Sequence, residues 1–207
     1  MVDASNVSDD LTNFVNVWME QKKEKVNVIL VEWSKLNRNS AFKLSIPLTF
    51  VTSVLWNGWE GEDEYSWEGD AYSQSSHNAV NVGKYVGLCV ASLSTNNNAH
   101  PPPHIHSVGH SLGAHLAGNI GRSFTAGTGG RWKIARVTAL DPAGPGFVDG
   151  PVFDAEPRLV REKVSIHDAE FVDVIHTHGS FEPAVTFGVK RFGDIHQLGH
   201  ADFYPDG

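Results

Sequence analysis

The 207-residue sequence predicts an α/β fold built on a mostly parallel sheet. Two observations carry that expectation. Short β-rich runs alternate with longer segments whose apolar residues recur at helical spacing. Hydrophobic residues make up 41% of the chain, enough for a real core and too many for wholesale disorder,.

The elements follow in order. Ser8 or Asp9 can cap a helix in which Leu11, Phe14, Val15 and Trp18 share a face, and the lysines of Gln21–Lys25 suit its C-terminal end,. Val26–Val31 then reads as an interior strand,. Residues 37–70 break the rhythm: aromatic first, then acidic, with no clean period. From Ser76 a helix is expected whose face carries Ala79, Val82, Val86, Cys89, Val90 and Leu93, with Cys89 as a small buried hydrophobe,. Thr95–Asn98 and Pro101–Pro103 make a surface connection,. A strand at His104–Val108 leads to a helix from Leu112, and a glycine-rich turn at Gly127–Gly130 leads to a strand at Lys133–Leu140. Phe171–Thr177 forms another strand.

Charge excludes some functions. Sixteen Lys and Arg against 24 Asp and Glu give a net charge of −8, which opposes nucleic-acid binding. Six carboxylates and no base lie between Glu60 and Asp70. That run reads as a solvated loop, because it lacks the alternating Asp/Asn spacing of a calcium loop. A single cysteine, Cys89, excludes an internal disulfide and a four-cysteine zinc site,. The longest run free of Asp, Glu, Lys, Arg and His, Leu44–Trp59, has 16 residues interrupted by Pro47, short for a membrane span,.

The chemistry concentrates at Gly109-His110-Ser111-Leu112-Gly113, a G-x-S-x-G sequence entered by a strand and left by an Ala/Gly-rich helix,. A serine at such a turn projects its Oγ from the sheet edge, and the Leu112 N–H can face a developing oxyanion. A serine needs a base, and the base an orienting carboxylate. Asp141 suits the latter role. It ends a strand, precedes Pro142, and follows Ser111 by 30 residues. The base is left open among His167, His176, His178, His196 and His200. His100, His104, His106 and His110 have the look of a metal cluster, but two fall within the serine motif and no carboxylate or cysteine joins them, so no metal is assigned,.

Four segments in order, Val108–His115, Leu140–Pro145, Phe171–Thr177 and Gly199–Gly207, resemble the animal pancreatic-lipase family, especially its insect neutral lipase and phospholipase A1 branch. Val26–Leu36 and Tyr72–Leu93 also resemble that family's strand and helix before the nucleophile. The resemblance implies a secreted α/β-hydrolase domain, with helices flanking a mostly parallel sheet, that hydrolyses acylglycerol or phospholipid esters. It makes Ser111 the nucleophile and Asp141 the triad acid, in agreement with the reading of the residues.

Three departures accompany it. The family's catalytic histidine and lid are expected downstream of Gly199–Gly207, and its His-Gly-aromatic oxyanion turn upstream of Met1. Residues 37–70 interrupt segments that normally lie close together. The chain is therefore expected to be a partial lipase domain over 1–207 with an atypical insertion at 37–70, derived from an incomplete gene model that retains non-coding sequence. The family's calcium site is matched by Asp168 alone, with Lys163 and Ser165 near the positions of other oxygen ligands, so calcium is not expected. Asn6-Val7-Ser8 is a glycosylation sequon consistent with secretion,.

The expected function is lipase-type ester hydrolysis through a serine acyl-enzyme, needing no cofactor and acting on a lipid ester at a lipid–water interface. No nucleic acid or transmembrane segment is expected. The alternative from another class is an inactive lipase-like binding or yolk-type storage protein. An internal base, with His200 the best placed, is a third possibility. With its base outside the chain, the 207-residue protein is expected to be a poor catalyst, and an exposed sheet edge is expected to promote aggregation.

Overall fold

Among the described residues, two helices and four strands follow one another as α1 (Gly69–Asn96), β1 (His106–His110), α2 (Leu112–Gly127), β2 (Arg136–Leu140), β3 (Phe171–Ile175) and β4 (Ala201–Phe203). The computed structural model describes residues 69–96, 104–144, 146–147, 162–179 and 193–205, together with Ile29 and Val31. All six elements belong to one compact unit, Trp67–Gly207. The expected N-terminal helix, nearly all of the Val26–Val31 strand, residues 37–68 of the irregular stretch and the Pro101–Pro103 connection lie outside the described residues.

The four strands pair side by side in the order β1-β2-β3-β4, every pair parallel. This is the α/β arrangement the alternation predicted, with β4 added beyond it; three residues, Ala201–Phe203, are too few to show a period in sequence,. Successive side chains of a strand point to opposite faces. Val137, Ala139, Val172 and Val174 are fully buried on one face, in a cluster with Ala114, Ala117 and Phe124 of α2 and with Ile134, Val164 and Leu198. On the other face, Arg136 donates from Nε and Nη2 to both oxygens of Asp173 at 2.8 Å, and Thr138 donates to the same carboxylate.

Helix α1 departs from the expected face. It starts at Gly69 rather than Ser76, and its buried stripe is Ser76, Ala79, Val80, Gly83, Gly87, Ala91 and Ser94. Cys89 and Leu93 are exposed, contrary to expectation. The reason is side-chain size. A Cβ at Gly83 would lie 2.6 Å from the Leu116 carbonyl oxygen and 2.8 Å from Asn119 Cβ. The helices therefore approach along the smallest residues, so the bulky apolar row turns outward.

Candidate active site

The parallel register aligns the last residues of the four strands: His110 with Leu140, Leu140 with Ile175, and Ile175 with Phe203. The residues just past these ends form a second row, Ser111, Asp141, His176 and Tyr204. Its first three members are tied to their neighbours by backbone hydrogen bonds. Ser111 N–H donates to Leu140 O at 2.9 Å, Asp141 N–H to Ile175 O at 2.7 Å, and His176 N–H to Phe203 O at 2.8 Å. Parallel strands lie about 4.8 Å apart, so Ser111 and Asp141 are neighbours although 30 residues separate them. The carboxyl edge of a parallel sheet is where α/β proteins bind ligands.

Ser111 has φ 56° and ψ −122°. Only one other described residue apart from glycine has positive φ, Asp141 at 44°. Such a backbone costs about 1–3 kcal/mol and persists only where the surroundings enforce it. Here the enforcement is visible: Ser111 O accepts from Ala114 N–H at 3.0 Å and Ala143 N–H at 3.3 Å. The two glycines of the motif make the turn possible, because a Cβ at Gly109 would fall inside the Gly113 carbonyl. Ser111 is the N-cap of α2, yet its side chain makes no capping hydrogen bond. A serine at this position normally turns its oxygen onto the helix N–H groups; this hydroxyl is not used so. Leu112 is the first residue of α2, where a helical N–H has no partner within the helix,.

Asp141 is buried, and its Oδ1 accepts backbone N–H bonds from Thr177 at 3.1 Å and His178 at 2.9 Å. Gly193 closes over the same oxygen, since a Cβ there would lie 2.6 Å from it. Burial lowers the His110 pKa, while the Asp141 charge pulls it partly back up.

Several histidines have ring partners of their own. His115, fully buried on α2, lies 2.8 Å from Ala143 O through Nε2 and accepts the Val164 N–H at Nδ1. Burial is the main reason that its pKa falls to about 4, opposed chiefly by the bond to Ala143. His176 lies 2.9 Å from Asp202 Oδ1, and His196 2.6 Å from Asp194 Oδ1. His200, the internal base candidate, accepts the Val172 N–H at Nδ1 and stacks on Phe171. His106 lies 2.8 Å from Thr138 Oγ1, in the hydrogen-bonded group that includes Asp173 and Arg136.

The sequence reading singled out Ser111, Leu112 and Asp141, and these three stand at adjacent strand ends. It missed the His115 clamp and the Asp194 and Asp202 carboxylates. One available signal was an imidazole at Ser111 + 4, on the buried face of α2, since a buried polar ring needs partners,.

Asp168 does not fit the calcium site it resembles. It is fully buried and accepts from Arg122 Nε at 2.9 Å and from the Ser165 N–H at 2.8 Å. The guanidinium already supplies positive charge there, and the Ser165 backbone N–H occupies the other carboxylate oxygen. Among the described residues no three His, Cys, Asp or Glu side chains are grouped to hold a metal ion, and no helix is long and apolar enough to cross a membrane.

A parallel sheet flanked by helices, with a strained serine between its first strand and the following helix, defines the α/β-hydrolase class,. More narrowly, residues 63–207 match the family model described as Lipase, and the chain belongs to that family. It is 41% identical over 145 residues to pancreatic lipase-related protein 2 of Cavia porcellus, covering 68% of this chain and 29% of the relative. It is likewise 41% identical over 145 residues to pancreatic triacylglycerol lipase of Homo sapiens, covering 68% of this chain and 27% of that protein. The chain thus spans less than a third of the length of these curated relatives.

Proposed function

We propose that this chain carries the nucleophile and acid of a lipase-type carboxylic ester hydrolase. Ser111 Oγ attacks the ester carbonyl, an imidazole base takes the hydroxyl proton, and the acyl group passes to the serine as the alcohol leaves with that proton. Water then attacks the acyl-enzyme by the same route and releases the carboxylic acid. The Leu112 N–H donates to the oxyanion of each tetrahedral intermediate. Asp141 holds the base in the required tautomer, its Oδ1 already fixed by Thr177 and His178. This chemistry asks for no cofactor.

One observation carries the reading: an N-cap serine held at φ 56° whose hydroxyl leaves the helix uncapped. An ordinary capping serine would have neither property. The similarity to pancreatic triacylglycerol lipase favours an acylglycerol as substrate, with phospholipid the other lipid ester considered. A secreted setting accompanies that reading.

A second reading is a lipase-like lipid-binding or storage-type protein. It is favoured by the ring contacts of His115, His176, His196 and His200, each made to a partner other than Asp141. A single assay separates the two. The folded 207-residue chain and Ser111→Ala are given a short-chain soluble ester, beside a longer chain of the same protein that extends past both ends. Serine-dependent turnover by either chain supports the hydrolase. Its absence from both refutes it and favours the binding protein.

A further inference from the structure

His176 continues the row that begins with Ser111 and Asp141, and it is buried. Its two ring nitrogens have an unusual pair of partners. Nε2 lies 2.9 Å from Asp202 Oδ1, and Nδ1 lies 2.5 Å from the backbone carbonyl of Asp194. Both are acceptors. A neutral imidazole has one donor and one acceptor, so it can satisfy only one of them; the imidazolium has two donors and satisfies both. His115 provides the contrast in the same fold: one partner accepts, the other donates, and the ring is neutral.

The surroundings suit a positive ring. Asp202 also accepts the N–H groups of Leu198 at Oδ1 and Gly199 at Oδ2, both at 3.0 Å. Tyr204 stacks on His176 with ring centroids 4.5 Å apart and planes 6° from parallel. Asp194 Oδ1 is engaged by His196, while the Asp194 backbone carbonyl faces His176. The charged or titratable groups around the ring are therefore Asp202 and Tyr204 at β4, Asp194 and His196 before it, and Asp141 and His178 beside it.

The ring also joins parts that converge on Asp141. The two residues after His176 supply both N–H bonds to Asp141 Oδ1, and the residue before Asp194 closes over that oxygen. We propose that His176 is a positioning residue for Asp141, an imidazolium bridging Asp202 and the Asp194 carbonyl so that the Thr177 and His178 N–H groups stay on the carboxylate. The inference rests on the reading of Asp141 as the triad acid. The clamp itself is detectable whether or not the chain hydrolyses esters.

The test is NMR on the isotope-labelled 207-residue chain. In the wild type, the His176 ring should show protons on both nitrogens near neutral pH, while His115 shows one. Asp202→Asn should leave His176 with a single ring proton, shift the Asp141 carboxyl carbon, and speed amide exchange at Thr177 and His178 about tenfold. The β1 and β2 amides should not change. A neutral His176 ring in the wild type overturns the proposal, and that measurement needs no variant. Unchanged Asp141, Thr177 and His178 signals in a folded Asp202→Asn protein also overturn it. Loss of esterase activity alone bears on the proposed function and leaves the clamp standing.

Discussion

His115 should make the fold acid-sensitive by an amount that can be worked out. Its ring is fully buried on α2, stacks on Phe147 at 3.6 Å, and joins Val164 to Ala143, two residues beyond Asp141. Burial is the main reason that its pKa falls from 6.5 to about 4. Above about pH 6.5 the ring is neutral in both folded and unfolded chains and adds no pH dependence. Below that value the unfolded chain binds a proton that the folded chain refuses, so stability falls as pH falls, until the folded ring also protonates. Each pH unit in the window is worth about 1.4 kcal/mol, giving about 2 kcal/mol lost by pH 5 and about 3 kcal/mol in all. Urea unfolding of the wild type and His115→Gln, at about pH 7.5 and pH 5, isolates this contribution because the carboxylates are common to both chains. The variant starts less stable, since the Val164 N–H loses its acceptor, at a cost of about 1–3 kcal/mol. It should then lose about 2 kcal/mol less than the wild type on acidification. Equal losses from the two chains would refute the idea that a buried neutral His115 sets the acid limit.

Gly83→Ala tests the close helix contact. The gain in helix propensity of up to about 1 kcal/mol is outweighed by a Cβ 2.6 Å from a backbone oxygen. Such overpacking costs about 1–3 kcal/mol, so thermal unfolding should show a net fall in Tm. Gly109→Ala should be worse, because its Cβ would overlap the Gly113 backbone; no cooperative melt is expected. Asp173→Asn weakens a two-point ion pair to Arg136 and a bond from Thr138, which should lower the urea midpoint by an amount equal to about 1–2 kcal/mol. Cys89 is exposed on α1, so a thiol reagent should modify one cysteine per native chain without denaturant.

Legibility in the sequence followed the kind of force involved. Strand and helix alternation depends on local periodicity, and the central elements stand close to where that reading put them. The strand expected at His104–Val108 is observed at His106–His110, and the one expected at Lys133–Leu140 starts at Arg136. Strand ends depend on pairing, and pairing is a property of the neighbours. The α1 face was misread for a different reason. Hydropathy marks Cys89 and Leu93, but the contact with α2 is limited by backbone approach, for which Gly83 and Gly87 are the relevant residues.

The serine motif was legible because its requirement is local: a strained residue needs small neighbours on both sides, and Gly109 and Gly113 announce that. Asp141 also has positive φ but lacks that signature, since it is followed by Pro142 and Ala143 rather than flanked by glycines. Its conformation is held from a distance, by Ile175 O on its N–H and by Thr177 and His178 on its carboxylate. A strained serine and a strained aspartate past the ends of neighbouring strands thus reach positive φ by different means. A substitution near Ser111 should act through the turn itself. One near Asp141 should act through β3 and the segment from Gly193 to Tyr204, which makes that segment the place to look for mutations that alter Asp141 while leaving Ser111 untouched.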